Sequence, residues 1–300
     1  MSKLAPIVLF TYNRLWHTRQ TVEALQKNYL AQKSQLFIYS DAQKTQVAEA
    51  KVKEVRQYLK TINGFKKVTI IERDKNWGLA NSIIDGVTKI VNEYGKVIVL
   101  EDDLVTSPYF LQFMNEALTF YHNQKPVWHI SGYQFPIYTD NLPETIFFRA
   151  PSSWGWATWD YAWKLFERDI EKLDKLFTKE LRYQFNLEGT KKFWSHIEAN
   201  KSGKMNTWAI FWYASIFLNK GLCLYPRHSL VQNIGHDGSG VHSKDPNGYQ
   251  ITLAKKPTEF FDTHIQEHPE FFQRIKSFFK YKKFNTMKRI VKKIFRLGQK

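Results

Sequence analysis

Along the first 130 residues, short apolar runs alternate with stretches in which apolar positions recur every three or four residues. Pro6-Ile-Val-Leu-Phe-Thr11, Leu36-Phe-Ile-Tyr39, Val68-Thr-Ile-Ile71 and Lys96-Val-Ile-Val-Leu100 belong to the first kind and read as buried strands. Helical spacing runs from about residue 16 to 29, over 47–59 and over 79–91. A further helix is expected at about 108–121, followed by a strand at Val127-Trp-His-Ile-Ser131. This alternation predicts an α/β sandwich built on a mainly parallel central sheet. Ligands of such sheets bind outside the carboxyl ends of the strands. Thr11, Asn13, Arg14, Asp41 and the triplet Glu101-Asp102-Asp103 all fall at such ends.

Beyond residue 131 the composition changes. Ser153-Trp-Gly-Trp-Ala-Thr-Trp159 and Trp163 place four tryptophans within ten residues. A helical stretch follows, then Asn206-Thr-Trp-Ala-Ile-Phe-Trp212 and the turn-rich Asn233-Ile-Gly-His-Asp-Gly-Ser-Gly-Val-His242. There is no internal repeat and no clear linker before about residue 262. The expected organisation is one domain over 1–262, its halves about 1–125 and 126–262, followed by a tail over 263–300.

The chemistry concentrates at the strand ends. Carboxylates placed directly after a buried strand repel one another and lose solvation, and a cation would relieve both effects. Mn²⁺ or Mg²⁺ takes hard oxygen ligands, often one or two carboxylates plus diphosphate oxygens. The alternative is a solvated turn that caps the next helix. Asp41 suits a hydrogen bond to a base or ribose, or an ordinary Asx turn. Arg14 could fork onto phosphate oxygens, or stand as a surface cation. Asn76-Trp-Gly-Leu-Ala-Asn-Ser82 opens a helix whose free N–H groups, near Gly78, could face a donor. Most of the clustered indoles are expected in the core, with one or two left to line an acceptor groove. Gly235-His-Asp-Gly-Ser-Gly240 reads either as a hinged lid carrying His236 and Asp237 or as a plain surface loop.

Charge changes the picture at one end only. The chain carries 44 basic and 28 acidic residues, a net +16. Eleven of the basic residues and none of the acidic ones lie from Phe271 onward, which leaves 33 against 28 before it. Phe271, Phe272, Ile275, Phe278 and Phe279, then Met287, Ile290, Val291, Ile294 and Phe295, recur at helical spacing among these cations. Such a basic amphipathic helix is expected on an anionic membrane surface; nucleic-acid binding and docking on the protein's own body are the alternatives. A single cysteine, Cys223, points to a reducing compartment. Neither a secretory leader nor a spanning segment is expected.

The ordered set Phe10-Thr-Tyr-Asn-Arg14, Ser40-Asp41, Asn76-Trp-Gly78 and Val97-Ile-Val-Leu-Glu-Asp-Asp-Leu-Val-Thr-Ser-Pro-Tyr-Phe110 resembles GT-A glycosyltransferases. The resemblance is to bacterial family 2-like sugar transferases and, more distantly, the N-acetylglucosaminyltransferase I group, over about residues 5–245. It implies a Rossmann-like GT-A fold and a metal-dependent inverting transfer from a nucleoside-diphosphate sugar, often a uridine one. Thr11, Asn13, Arg14, Asp41, Gly78 and Asp102 would then meet the donor: Asp41 at the base, Arg14 at the diphosphate and Asp102 at the ribose. Asp103 would hold Mn²⁺ or Mg²⁺. Relatives carry the general base as an aspartate beside the tryptophan of the segment that here reads Asn206-Thr207-Trp208-Ala209, which has no carboxylate. Asp237 is the first substitute, followed by His236, Asp160 and His196. The resemblance and the tail together imply a transferase peripheral to the inner face of the plasma membrane. It would act on a glycan or lipid-linked acceptor in surface polysaccharide or lipopolysaccharide synthesis. An inactive sugar-nucleotide-binding protein is the alternative. RNA binding is disfavoured because the charge sits in one aromatic tail and no nucleic-acid motif is present.

Overall fold

The computed structural model describes residues 3–238 and 248–297, with side chains as far as Lys282 and at Phe284. Strands β1 (Ile7–Thr11), β2 (Gln35–Ser40), β3 (Lys67–Glu72) and β4 (Lys96–Glu101) lie in the order β3-β2-β1-β4, all parallel. Helices α1 (Leu15–Gln26), α2 (Glu49–Leu59) and α3 (Leu79–Tyr94) make the crossovers. Val8 and Phe10 enter one core with Val87 and Val91 of α3, while Ile7 and Leu9 enter the other with Val22 and Leu25 of α1. Burial on both faces is why β1 shows no polar alternation.

After β4 come a short strand β5 (Leu104–Thr106) and helix α4 (Phe110–Phe120). Strands β6 (Val127–Ser131), β7 (Thr145–Phe148), β8 (Trp156–Trp159) and β9 (Leu222–Pro226) extend the sheet to β3-β2-β1-β4-β8-β6-β9-β7. β8 and β7 run against their neighbours and the other strands share one direction, so the sheet is mainly parallel, as expected. Helices α5 (Asp160–Trp163), α6 (Ile170–Leu176), α7 (Lys179–Phe185), α8 (Trp194–Lys201) and α9 (Ala209–Leu218) lie between β8 and β9 in the chain. Strand β10 (Val231–Asn233) returns to pair with β5, and α10 (Pro269–Leu297) follows. The tryptophans are largely core: Trp156 stacks on Trp208 at 5.1 Å, and Trp163 lies 5.0 Å from Trp212.

The tail departs from expectation. Phe271, Phe272, Ile275 and Phe279 are buried in the protein's own core, Phe271 packing against Phe148 and Tyr225 and Phe279 against Phe135. Arg149 forks onto Glu267 and lies over the Phe272 ring at 4.6 Å. Lys276 pairs with Glu188, and Lys282 donates to the Gly248 carbonyl. The apolar face expected to meet a membrane is therefore covered by β7, β9 and their loops over its first half. The side chains of Met287, Ile290, Val291, Ile294 and Phe295 lie outside the described residues. Among the described residues, no helix is long and apolar enough to cross a membrane.

Because Phe271 is fully buried, Phe271→Ala will cost about 3–5 kcal/mol of folding stability. Urea unfolding at constant m-value measures it; an unchanged midpoint would mean that this helix packs only on a surface outside the chain.

Candidate active site

The chain runs β1, β2, β3 outward on one side and then places β4 on the other side of β1. Strand order therefore reverses between β1 and β4, and the crevice outside their carboxyl ends is where such sheets bind ligands. The register pairs Phe10 with Glu101, so the residues that follow each strand meet. Arg14 reaches across this reversal to Asp102 and, at 2.9 Å, to Asp103 Oδ2.

A third segment arrives from far along the chain. β10 lies antiparallel on β5, and the Ile234 N–H donates to the Asp103 carbonyl at 2.9 Å. Gly235 rests so close to the Asp103 side chain that a Cβ there would lie 2.1 Å from Oδ2. The residues that follow, Gly235 to Asp237, form a strap over the acidic cluster. The segment Gly235 to Gly240, expected as a hinged lid or a plain surface loop, thus begins beside Asp103; its residues 239 and 240 lie outside the described residues.

Two carboxylates, Asp102 and Asp103, share the Arg14 guanidinium, and Glu101 precedes them in the chain. Burial pushes Glu101 up to about 8, with repulsion from Asp103 and Asp102 adding and Arg14 opposing. Burial also raises Asp102 above the usual carboxylate range, against the pull of Arg14. Burial disfavours the Arg14 charge, but Asp102 and Asp103 outweigh it and hold its proton more tightly than usual. With all three acids ionised the cluster would carry an excess of negative charge, which a divalent cation suits. Among the described residues, no three His, Cys, Asp or Glu side chains are grouped to hold a metal alone. A cation at this cluster would therefore need further oxygen ligands from a bound molecule.

Asp41 has a structural occupation. Its carboxylate accepts from the backbone N–H groups of Ala42, Trp77 and Gly78, all at 2.9 Å, and from Asn76 Nδ2 at 3.1 Å. These bonds lock the end of β2 to the start of α3. Gly78, at φ +71° and ψ 155°, occupies a region open essentially to glycine. Thr11 Oγ1 and Trp77 Nε1 are buried and lack hydrogen-bond partners among the described residues. Asn13 sits half-buried between β1 and Arg14. Asp41→Ala will leave three backbone donors and one N–H of the Asn76 amide, whose Nδ2 also donates to the Ala42 carbonyl, without their acceptor and destabilise the protein by about 2–4 kcal/mol. Thermal unfolding reads this out, and a loss below the error of the measurement would show that the loop does not depend on Asp41.

The candidates for a base separate by position. Asp237 stands in the strap, 44% exposed, its Oδ2 3.0 Å from His17 Nε2. His236 stacks on Tyr249 at 5.5 Å and meets the edge of Trp154 at 5.2 Å. Asp160 follows β8, whose last residue pairs with Lys96. It lies at the opposite end of the strands, a strand length of roughly 16 Å from the acidic cluster, which removes it from consideration. His196 lines a cavity of about 180 Å³ together with Thr207, Trp208, Trp212 and Tyr213. His17 went unread in the sequence. The available signal was its spacing: one turn beyond Arg14 in a helix, it shares Arg14's face.

The sequence matches the family model described as Glycosyl transferase family 2 over residues 7–173, more than half of the chain. The chain belongs to glycosyl transferase family 2. The matched region contains β1 to β8 and thus the reversal point, Arg14, Asp41 and the acidic triplet, and the sheet is of the GT-A, Rossmann-like type. This family 2 chain is also similar to two solved structures. One is S. aureus TarS, at 14% identity over 58% of this chain and 32% of that one, with a TM-score of 0.36. The other is the mannosyltransferase PcManGT from Pyrobaculum calidifontis in complex with GDP-Man and Mn²⁺, at 11% identity over 73% and 72%, with a TM-score of 0.38. The chain spans about a third of the length of the TarS chain. No match was found among curated proteins.

Proposed function

We propose that this family 2 chain is an inverting glycosyltransferase that moves a sugar from a uridine diphosphate sugar to a hydroxyl of a glycan or lipid-linked acceptor of a bacterial surface polysaccharide. The observation that carries the reading is the Arg14–Asp102–Asp103 cluster at the strand-order reversal, covered by the Gly235 strap. Asp103 would hold Mn²⁺ or Mg²⁺, which when bound supplies positive charge to the diphosphate. Arg14 fixes Asp102 and Asp103 and sets the charge that a diphosphate meets. Thr11 Oγ1 and Trp77 Nε1, buried without partners, are the polar atoms that a nucleoside would satisfy.

Asp237 is the base in this reading. Two residues of chain span at most about 7 Å, so the Asp237 backbone stays beside the Asp103 carboxylate on which Gly235 rests. As the acceptor oxygen bonds to the anomeric carbon on the face opposite the diphosphate, its proton passes to the Asp237 carboxylate. The bond from that carbon to the diphosphate oxygen breaks, and the diphosphate leaves with the electron pair.

A panel of nucleotide sugars with Mn²⁺, read first by thermal shift and then by release of nucleoside diphosphate, tests this. A donor present at 100 times its Kd will stabilise the protein by about 2.7 kcal/mol, and its turnover will require the metal. Stabilisation without turnover on any acceptor, water included, favours the inactive sugar-nucleotide-binding alternative, which the lack of a carboxylate over residues 206–209 motivates. No stabilisation by any nucleotide or nucleotide sugar would refute both.

A further inference from the structure

Two contacts of the strap that follows β10 bear on the site. One is the bond from Ile234 N–H to the Asp103 carbonyl. The other is His17, buried in the first turn of α1, whose Nε2 lies 3.0 Å from Asp237 Oδ2. His17 is itself held in place: Trp16 packs edge-on against its ring at 4.9 Å, and the helix turn beneath it is closed by Thr18 N–H and Oγ1 donating to the Arg14 carbonyl.

We propose that His17 is a positioning residue for glycosyl transfer: its N–H fixes the Asp237 carboxylate and ties the strap over Asp103 to the helix that carries Arg14. The proposal rests on the reading of Asp237 as base. The physical grounds are the unequal settings of the two partners. The Asp237 side chain is 44% exposed on a turn, whereas the His17 side chain is only 7% exposed on a helix packed against the sheet. A bond from a donor buried on a helix to an acceptor on a turn ties the geometry of the turn to that of the helix. A base held in one geometry is worth orders of magnitude in rate when the alternative is a spread of orientations. The bond also links two elements that each touch the acidic cluster, α1 through Arg14 and the strap through Gly235, so one contact keeps the base and the metal-holding carboxylate in register.

The test uses His17→Ala, His17→Gln and Asp237→Asn in the full chain, each first checked for wild-type thermal unfolding. Nucleoside diphosphate release is followed from the donor that the panel selects, with water as acceptor. His17→Ala should lower kcat by roughly 10- to 100-fold, with the donor KM changed by less than about twofold. His17→Gln keeps an N–H donor of similar reach and should recover most of the loss. That rescue also guards against a fold defect in the alanine variant. In the Asp237→Asn background, His17→Ala should add almost nothing. Wild-type kcat in His17→Ala, or a full further loss in the Asp237→Asn background, overturns the positioning role while leaving the base in place. Wild-type kcat in Asp237→Asn overturns the base assignment, and the proposal with it.

Discussion

Asp103→Asn will abolish most donor turnover, by about 10³-fold in kcat/KM, while leaving the protein as stable as the wild type or slightly more so. The loss is of the size seen when a fixed electrostatic partner of developing charge is removed. The effect on stability runs against intuition, since Asp103 makes an ion pair with Arg14. Removing one partner of a buried pair usually costs several kcal/mol because it strands a charge. Here nothing is stranded. Arg14 keeps Asp102, and Glu101, pushed up to about 8 in part by Asp103, is relieved of a like charge. Steady-state kinetics across a Mn²⁺ titration, together with urea unfolding, measure both halves. A large loss of stability would make Asp103 a structural residue and remove the basis for assigning it to a metal.

Gly235→Ala is the second large effect, and it acts without touching charge. The new methyl would sit 2.1 Å from Asp103 Oδ2, so the carboxylate or the strap must give way by roughly 1 Å, a displacement of the size that can cost about 10²-fold in rate. Gly235 does not have a left-handed backbone, so alanine adds no conformational strain and the unfolding midpoint should hold. The decisive measurement is the double variant with Asp103→Asn. If alanine acts by moving that carboxylate, its penalty vanishes once the carboxylate is gone. A penalty that persists in full would locate the damage elsewhere in the strap.

The parallel half of the fold was legible because its strands are covered on both faces and its helices on one. Burial of that kind writes itself into the sequence as runs and as three-and-four spacing. β1 through β4 and their crossovers lie within a few residues of where the pattern placed them. β5 and β10 are three residues each, too short to carry a period. Their pairing joins segments more than a hundred residues apart, which no local pattern reports. The strap and the His17–Asp237 contact were therefore invisible as neighbours, although Asp237 itself stood out for its chemistry. The tail shows the opposite limit. Its amphipathic face was read correctly as a face, but periodicity says that something covers an apolar stripe and not what does. Phe148, Tyr225 and Phe135 cover its first half, at Phe271 and Phe279. Asp41 was likewise found by its place after a strand, while its four partners are backbone and amide groups of a loop that only folding delivers.

The return of β10 to β5 also bears on when the protein becomes competent. Chains emerge from the ribosome amino end first, and domains generally fold as units in that order. β1 to β4 and the acidic triplet are complete once the first hundred or so residues are available, yet the strap over Asp103 arrives only with residues 231–238. The core beneath β7 and β9 closes later still, with Phe271 to Phe279. A nascent chain would thus present its charged crevice uncovered until residues 231–238 emerge, and would close the core beneath β7 and β9 only after residues 271–279 follow.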